Sequence, residues 1–339
     1  MNQIQPAANG STYVVIGSNS FTGSHFVDAI LAKPSNHVVG ISRSPESASL
    51  FLPYKQRRSS NFEFHQVDLV REPNKLMSVL DQVRPRYVIN LAALSEVEPS
   101  NQMPEEYFQT NCLGVIRLCN HLRSSPSLER YLHVSTAEVY GDCPEPIKET
   151  APLQPSTPYA ASKAAADLYL ATLWKRFQFP VVIVRSSNVY GKHQQLHKII
   201  PRTLIYLNQE KKLQLHGQGH AVRSYLHVRD VVRGAMSAMY YGTSGDIYNF
   251  ATDVYTTIRT LVKTMCEYMS REFEESVVDV EDRIGGQDHH YLLDCSKAGT
   301  DLGWSSHISL EEGLKEVVAW VEDNWDEIRR ESLEYVHKA

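Results

Sequence analysis

Tyr13-Val-Val-Ile-Gly17-Ser-Asn-Ser-Phe-Thr-Gly23 is a β-branched run that halts at a glycine, passes through small polar residues and opens into a helical pattern. Glycine at 17 permits a tight turn and close approach of a phosphate, and the amino end of the following helix offers unpaired N–H groups and a favourable dipole. The stretch predicts the first strand–helix step of a dinucleotide-binding sheet, with Gly17, Asn19, Ser20, Phe21, Thr22 and Gly23 as the pyrophosphate cradle. Ser20 stands where a middle glycine is usual, and a loop of this kind taken alone serves equally well as a plain turn.

Outward from that step the alternation continues. Short apolar runs begin at Tyr13, His37, Phe62, Tyr87, Tyr131 and Val181, and amphipathic stretches cover 22–31, 105–122, 157–177, 197–207 and 310–324. The pattern predicts an α/β protein: a Rossmann-like, doubly wound parallel sheet with a smaller mixed α/β substrate-binding lobe. Residues 12–190, with segments returning from the carboxyl-terminal half, would form the dinucleotide domain, and 191–330 mainly the second lobe. A chain of 339 residues is long enough for both.

Lys and Arg total 34 against 39 Asp and Glu, a formal charge of −5, so there is no basic excess for a nucleic-acid backbone or an anionic membrane. Five scattered cysteines without a C-x-x-C pair argue for a reducing compartment, and the expected location is cytoplasmic. No apolar run approaches the roughly 20 residues of a membrane span. His289-His290 has no accompanying ligand cluster, so no metal is expected.

The second run ends in Ser42-Arg43-Ser44, where a carboxylate would suit the two ribose hydroxyls of NAD. Hydroxyls and a guanidinium suit the extra phosphate of NADP, which is the expected cofactor, with NAD as the alternative and Arg43 then a solvated loop arginine. Asp68 and Leu69, after the third run, would flank the adenine by position.

Tyr159-Ala-Ala-Ser-Lys163 lies inside an expected helix, and a spacing of four puts both side chains on one face. An ammonium near the phenol would lower its pKa from about 10 and make it a base. A surface Tyr and Lys at this spacing are common, but here Ser135-Thr-Ala-Glu-Val-Tyr-Gly141 brings hydroxyls and a carboxylate to the neighbouring sheet edge.

Together with Asn90-Leu-Ala-Ala93, Pro158-Tyr-Ala-Ala-Ser-Lys163 and Arg185-Ser-Ser-Asn-Val-Tyr-Gly191, these motifs resemble the extended short-chain dehydrogenase/reductase family over nearly the whole chain. Within it the sequence is most similar to nucleoside-diphosphate-sugar 4,6-dehydratases of the dTDP-glucose and GDP-mannose types. The resemblance implies that Tyr159, assisted by Lys163, takes the proton of the 4-hydroxyl while hydride leaves C4, with Thr136 bonding that oxygen. Glu138 would then remove the C5 proton, water would leave C6 and hydride would return to C6. The tightly bound dinucleotide would also touch Leu91, Ala92, Ala93 and Val134, besides Tyr159 and Lys163.

For the nucleoside-diphosphate sugar, the resemblance points to Ser95, Glu96, Ser135, Thr136, Asn188, Lys198, Arg223, Asn249 and Arg283, the arginines as forks for phosphate oxygens. Two departures stand out. Ala137 replaces an aspartic acid that protonates the leaving hydroxyl in the dTDP-glucose enzymes, although the GDP-mannose type also lacks it. Glu96 and Glu98 fall where histidine and a basic residue are usual. A 4-epimerase would need Tyr159 and Lys163 but no base for C5. A nucleotide-sugar decarboxylase and a non-catalytic dinucleotide sensor are the remaining readings. A homodimer paired through 105–122 and 157–177 is implied as well.

Overall fold

The computed structural model describes residues 10–282, 288–335 and 337. Seven strands form one parallel sheet: β1 Thr12–Ile16, β2 His37–Ser42, β3 Phe62–Gln66, β4 Tyr87–Asn90, β5 Arg130–Val134, β6 Val181–Ser186 and β7 Ile247–Phe250, in the order β7-β6-β5-β4-β1-β2-β3. The register is continuous across the centre, with Val14 opposite both Val39 and Val88, and Leu132 opposite Val182. β1 shows why the strands read as unbroken apolar runs. Tyr13 and Val15 enter one core and Val14 and Ile16 the other, so both faces of the sheet are covered.

On one face lie α1 (Phe21–Leu31), through Phe26, Val27 and Ile30, and the helix Val228–Tyr241, through Val231, Ala235 and Ala238. The other face is covered by Pro73–Val83, Val115–Leu122 and Pro158–Phe177, which contribute Leu80, Leu118 and Leu170 among others. The doubly wound fold expected from the sequence is present, and the six expected strands are joined by β7, whose short Ile-Tyr-Asn-Phe run carries little pattern by itself. A separate core around Leu204, Val262, Leu314 and Trp320 is built from three helices, Ile199–Asn208, Ile258–Tyr268 and Leu310–Asp323.

The expected single helix over 105–122 is corrected by the structure. Pro104–Phe108 and Val115–Leu122 are joined by a π-helical turn, Gln109–Gly114. The wider turn lets Asn111 point inward, where its amide group exchanges two hydrogen bonds with the backbone of Leu94 (2.8 and 2.9 Å) and donates to Ser162 Oγ (2.9 Å). Among the described residues no helix is long and apolar enough to cross a membrane.

Candidate active site

The chain leaves β1 to one side and returns at β4 on the other, which opens a crevice at the carboxyl ends of these strands. Gly17 sits there at φ +91°, and a side chain on it would meet the Ala92 backbone nitrogen at 2.8 Å. Ser20 caps α1: its hydroxyl accepts from Gly23 N (3.1 Å) and donates to the Gly17 carbonyl (2.7 Å). The serine in the middle position thus closes the loop that a glycine would leave open. Phe21, expected at the cofactor, opens α1 and packs its ring into the core beneath the loop, which leaves its backbone N–H at the helix amino end.

A cleft of about 400 Å³ opens over this loop, bordered by Ser42, Arg43, Asp68, Leu69, Leu91 and Ala92 among others. The loop residues hold one another: Asn19 N donates to Ser42 Oγ (3.0 Å) and Asn19 Nδ2 to the carbonyls of Ser44 and Pro45. Asp68 Oδ1 accepts from the N–H groups of Val70 and Arg71, which fixes the turn beside the cleft. A glycine cradle, a helix amino end and an elongated cleft fit a dinucleotide.

The chemical end lies on the helix Pro158–Phe177 and the turn after β5. Thr157 caps that helix by accepting from Ala160 N, Pro158 occupies its first turn, and alanines fill its interior. Tyr159 is 7 % exposed and hydrogen-bonded to the Thr136 side chain. Thr136 in turn accepts from Glu138 N (3.3 Å) at the start of the 3-10 turn Ala137–Tyr140. Thr136, Glu138 and Tyr159 therefore converge, and Lys163 follows Tyr159 by one turn of the same helix.

Their ionisation differs from the expectation in one respect. Burial, reinforced by the Glu138 charge, pushes the Tyr159 phenol up, against the lowering by Thr136. Lys163 donates to the Val134 carbonyl (2.8 Å), with His133 Nε2 at 3.4 Å. Burial lowers Lys163 to about 8, opposed by Asp167. Burial also raises Glu138 to about 7, with Asp288 adding to the rise and Arg223 and Lys198 opposing it. His133 is pushed well below its ordinary value by burial and by the charges of Lys163 and Arg185.

Several expected substrate residues have other partners. Ser135 Oγ donates to Asp167 Oδ2 (2.9 Å), since its side chain follows the inner side of the sheet edge. Asn249, expected at the substrate, is fully buried in β7, receiving Tyr140 Oη and donating to the Ile147 carbonyl. Arg223, expected as a phosphate fork, is 4 % exposed and directs three hydrogen bonds to the carbonyls of Val222, Asp288 and His289. Glu96 pairs with Lys198 and has His197 at 3.5 Å. Burial would raise Glu96, but these two neighbours prevail and hold it at about 2. Asn188 is half-buried on the strand Asn188–Tyr190, Ser95 is exposed, and Arg283 lies outside the described residues.

Other parts of the site were not singled out in the sequence. Asp167 binds Arg185 through Nε (3.0 Å) and Nη2 (2.8 Å), and Arg185 donates to Tyr140 Oη (2.6 Å). The signal for Asp167 is its place four residues after Lys163 on the same helix face. Tyr107 meets Tyr159 edge-on with ring centroids 6.4 Å apart, and His337 stacks on Tyr107 while pairing with Glu106 at 2.9 Å. Tyr335 lies against His197, so the tail reaches back to the mouth of the cleft, a contact with no local sequence signal.

A Rossmann sheet whose crevice holds a Thr, Tyr and Lys constellation beside a glycine cradle defines an extended short-chain dehydrogenase/reductase. Residues 14–317 match the sequence profile described as GDP-mannose 4,6 dehydratase, and the chain belongs to that family. It is similar to the dTDP-D-glucose 4,6-dehydratase of Mus musculus, 31% identical over 326 residues that cover 94% of this chain and 91% of the relative. The dTDP-glucose 4,6-dehydratase of Haemophilus influenzae is also 31% identical, with 91% and 96% covered. Among solved structures, that of dTDP-glucose 4,6-dehydratase from Streptomyces venezuelae with NAD bound superimposes with a TM-score of 0.86 at 30% identity, covering 93% of this chain and 98% of that one. The UDP-glucose 4-epimerase of Thermotoga maritima gives a TM-score of 0.84 at 26% identity, with 93% and 99% covered.

Proposed function

We infer that the chain is a nucleoside-diphosphate-sugar 4,6-dehydratase, a lyase that forms a 4-keto-6-deoxy sugar. The observation that carries this reading is Glu138, a carboxylate next to the Tyr159 phenol and raised to about 7. Oxidation and epimerisation at C4 have no use for such a group, whereas removal of the acidified C5 proton needs one.

The nicotinamide dinucleotide, when bound, supplies the hydride acceptor for C4 and the donor for C6. Thr136 orients the sugar's 4-oxygen against Tyr159, and Tyr159 accepts its proton. Lys163, one helical turn further on, provides the positive charge that favours the phenolate form Tyr159 must have before it takes that proton, a charge carried below about 8. Glu138 takes the C5 proton and, because Ala137 offers only a methyl group, the same carboxyl delivers a proton to the oxygen leaving C6. A group near 7 suits both directions of transfer at neutral pH.

The local groups leave NAD and NADP to be weighed. Ser42 Oγ accepts from Asn19 N and lies 3.4 Å from Ser18 Oγ, and Arg43 borders the cleft directly after it. NAD in the solved dehydratase relative supports NAD as the first choice, over the NADP expected from Arg43. Denaturing the purified protein and identifying the released dinucleotide distinguishes them. We assign 12–190 with returning segments to the cofactor and mainly 191–330 to the nucleotide sugar, with Lys198 and Asn188 towards the diphosphate. A homodimer is supported by Phe108, Leu113 and Leu168, large apolar side chains exposed on the segments 104–122 and 158–177. Five cysteines without a disulfide fit a cytosolic protein.

The deciding experiment incubates the protein with a panel of nucleotide sugars in deuterated water. Deuterium at C5 with loss of the C6 oxygen is expected. Inversion at C4 alone would make the protein an epimerase.

A further inference from the structure

The strand Tyr291–Leu293 pairs with Cys143–Ile147, and this brings Tyr291, 2 % exposed, beside the turn that carries Glu138. Its phenol oxygen lies 3.5 Å from Glu138 Oε2 and 3.4 Å from Asp288 Oδ2. One phenolic hydrogen thus faces two carboxylates. The Asp288 backbone N–H donates to the same phenol oxygen (3.0 Å), and Ser156 Oγ donates to Asp288 Oδ2 (2.6 Å). The serine meets part of the demand of Asp288 for a donor and leaves the Tyr291 hydrogen to Glu138. Arg223 lies over the Tyr291 ring, 4.7 Å from its centroid, and holds the strand end through the Asp288 and His289 carbonyls.

We propose that Tyr291 and Asp288 are positioning residues for Glu138, the phenol aiming its carboxyl group and the second carboxylate keeping it able to return to the C6 oxygen the proton taken from C5. The proposal rests on the dehydratase reading. In the elimination the C5–H bond breaks and its electron pair becomes the C5–C6 double bond. The C6–O bond breaks with its pair on oxygen, and the Glu138 proton completes water. A carboxylate that bound the C5 proton too weakly could not take it, and one without a neighbouring negative charge would hold its anion too comfortably.

The charged and titratable groups that face Glu138 come from four elements: Lys198 before the helix Ile199–Asn208, Arg223 on the strand Val222–His227, Tyr159 on its helix, and Asp288 with Tyr291. The two cations favour the anion; Asp288 opposes them, so the balance is sensitive to its removal.

Asp288→Asn, Tyr291→Phe and Ser156→Ala test this in the holoenzyme. Asp288→Asn should move the acidic limb of kcat/KM, and the Glu138 titration followed by carboxyl-carbon NMR without substrate, down by about 0.5–1 pH unit. Tyr291→Phe should slow loss of the C6 oxygen on the order of 10–100-fold while C4 oxidation in a single turnover stays within about threefold. Ser156→Ala, an exposed change that spares the fold, should move the Glu138 titration upward as Asp288 draws the phenolic hydrogen away. An unmoved titration in both Asp288→Asn and Ser156→Ala, or oxidation falling in step with elimination in Tyr291→Phe, overturns the proposal. Should the wild type act on nucleotide sugars without losing the C6 oxygen, the dehydratase reading falls, and the substrate-free titrations still decide the pairing.

Discussion

At Glu138 function and stability pull in opposite directions. A carboxyl raised from its ordinary value to about 7 contributes stability that is full below the unfolded value near 4.5 and is lost as pH rises through about 7. Glu138→Gln should therefore melt higher than wild type at pH 8 and about equally at pH 4.5, by an amount on the order of 1–3 kcal/mol at the higher pH. Elimination should fall at least about 10²-fold. Calorimetry at the two pH values and a C5-exchange assay check both halves. Lys163 adds the alkaline side. Lowered to about 8, it carries its charge only below that pH, so kcat/KM of the free enzyme should be bell-shaped with limbs near 7 and 8. Lys163→Arg should remove the alkaline limb. Asp167 is the residue that keeps Lys163 from falling further. As the buried partner of Arg185, Asp167→Ala should lose about 3–5 kcal/mol in denaturant unfolding.

Among the elements, the loop before α1 has a defined tolerance. Ser20→Ala removes the cap and should lower stability by about 1 kcal/mol, while Ser20→Gly should change it by only a few tenths, which thermal melts can separate. The cofactor should be retained in both. The loop, β1 and α1 were legible because the run of contiguous residues carries its own turn chemistry. The break in 105–122 was not: a π-helical turn keeps the apolar spacing of its neighbours, and the gain comes from Asn111 meeting Leu94 and Ser162, residues distant in the chain. The tail is a similar case. Tyr335→Ala with His337→Ala should release the dinucleotide several-fold faster, since Glu106, which borders the cleft, and Tyr107, which meets Tyr159, would lose their outer contact. Stopped-flow displacement measures that rate.

For the whole molecule, the exposed Leu168 (59 % exposed) should matter only in a pair of chains. On the proposed homodimer, wild type sediments as a dimer and Leu168→Arg as a monomer, with little change in the melting of the single chain; a wild-type chain that sediments as a monomer removes the pairing. By itself the sequence determined the parallel sheet with a glycine turn at its switch point, because these follow from short-range periodicity, and it nominated Thr136, Glu138, Tyr159 and Lys163 through motifs that resemble those of a known family. The tertiary structure alone decided which charges surround that quartet. It turned Lys163 to Val134 and Asp167, committed Arg223, Ser135 and Asn249 to the protein's own polar groups, and set Asp288 and Tyr291 behind Glu138. Hydrogen bonds and electrostatic shifts depend on distance and burial in space, and residues 138 and 291 acquire both only when the strand Tyr291–Leu293 pairs beside the turn.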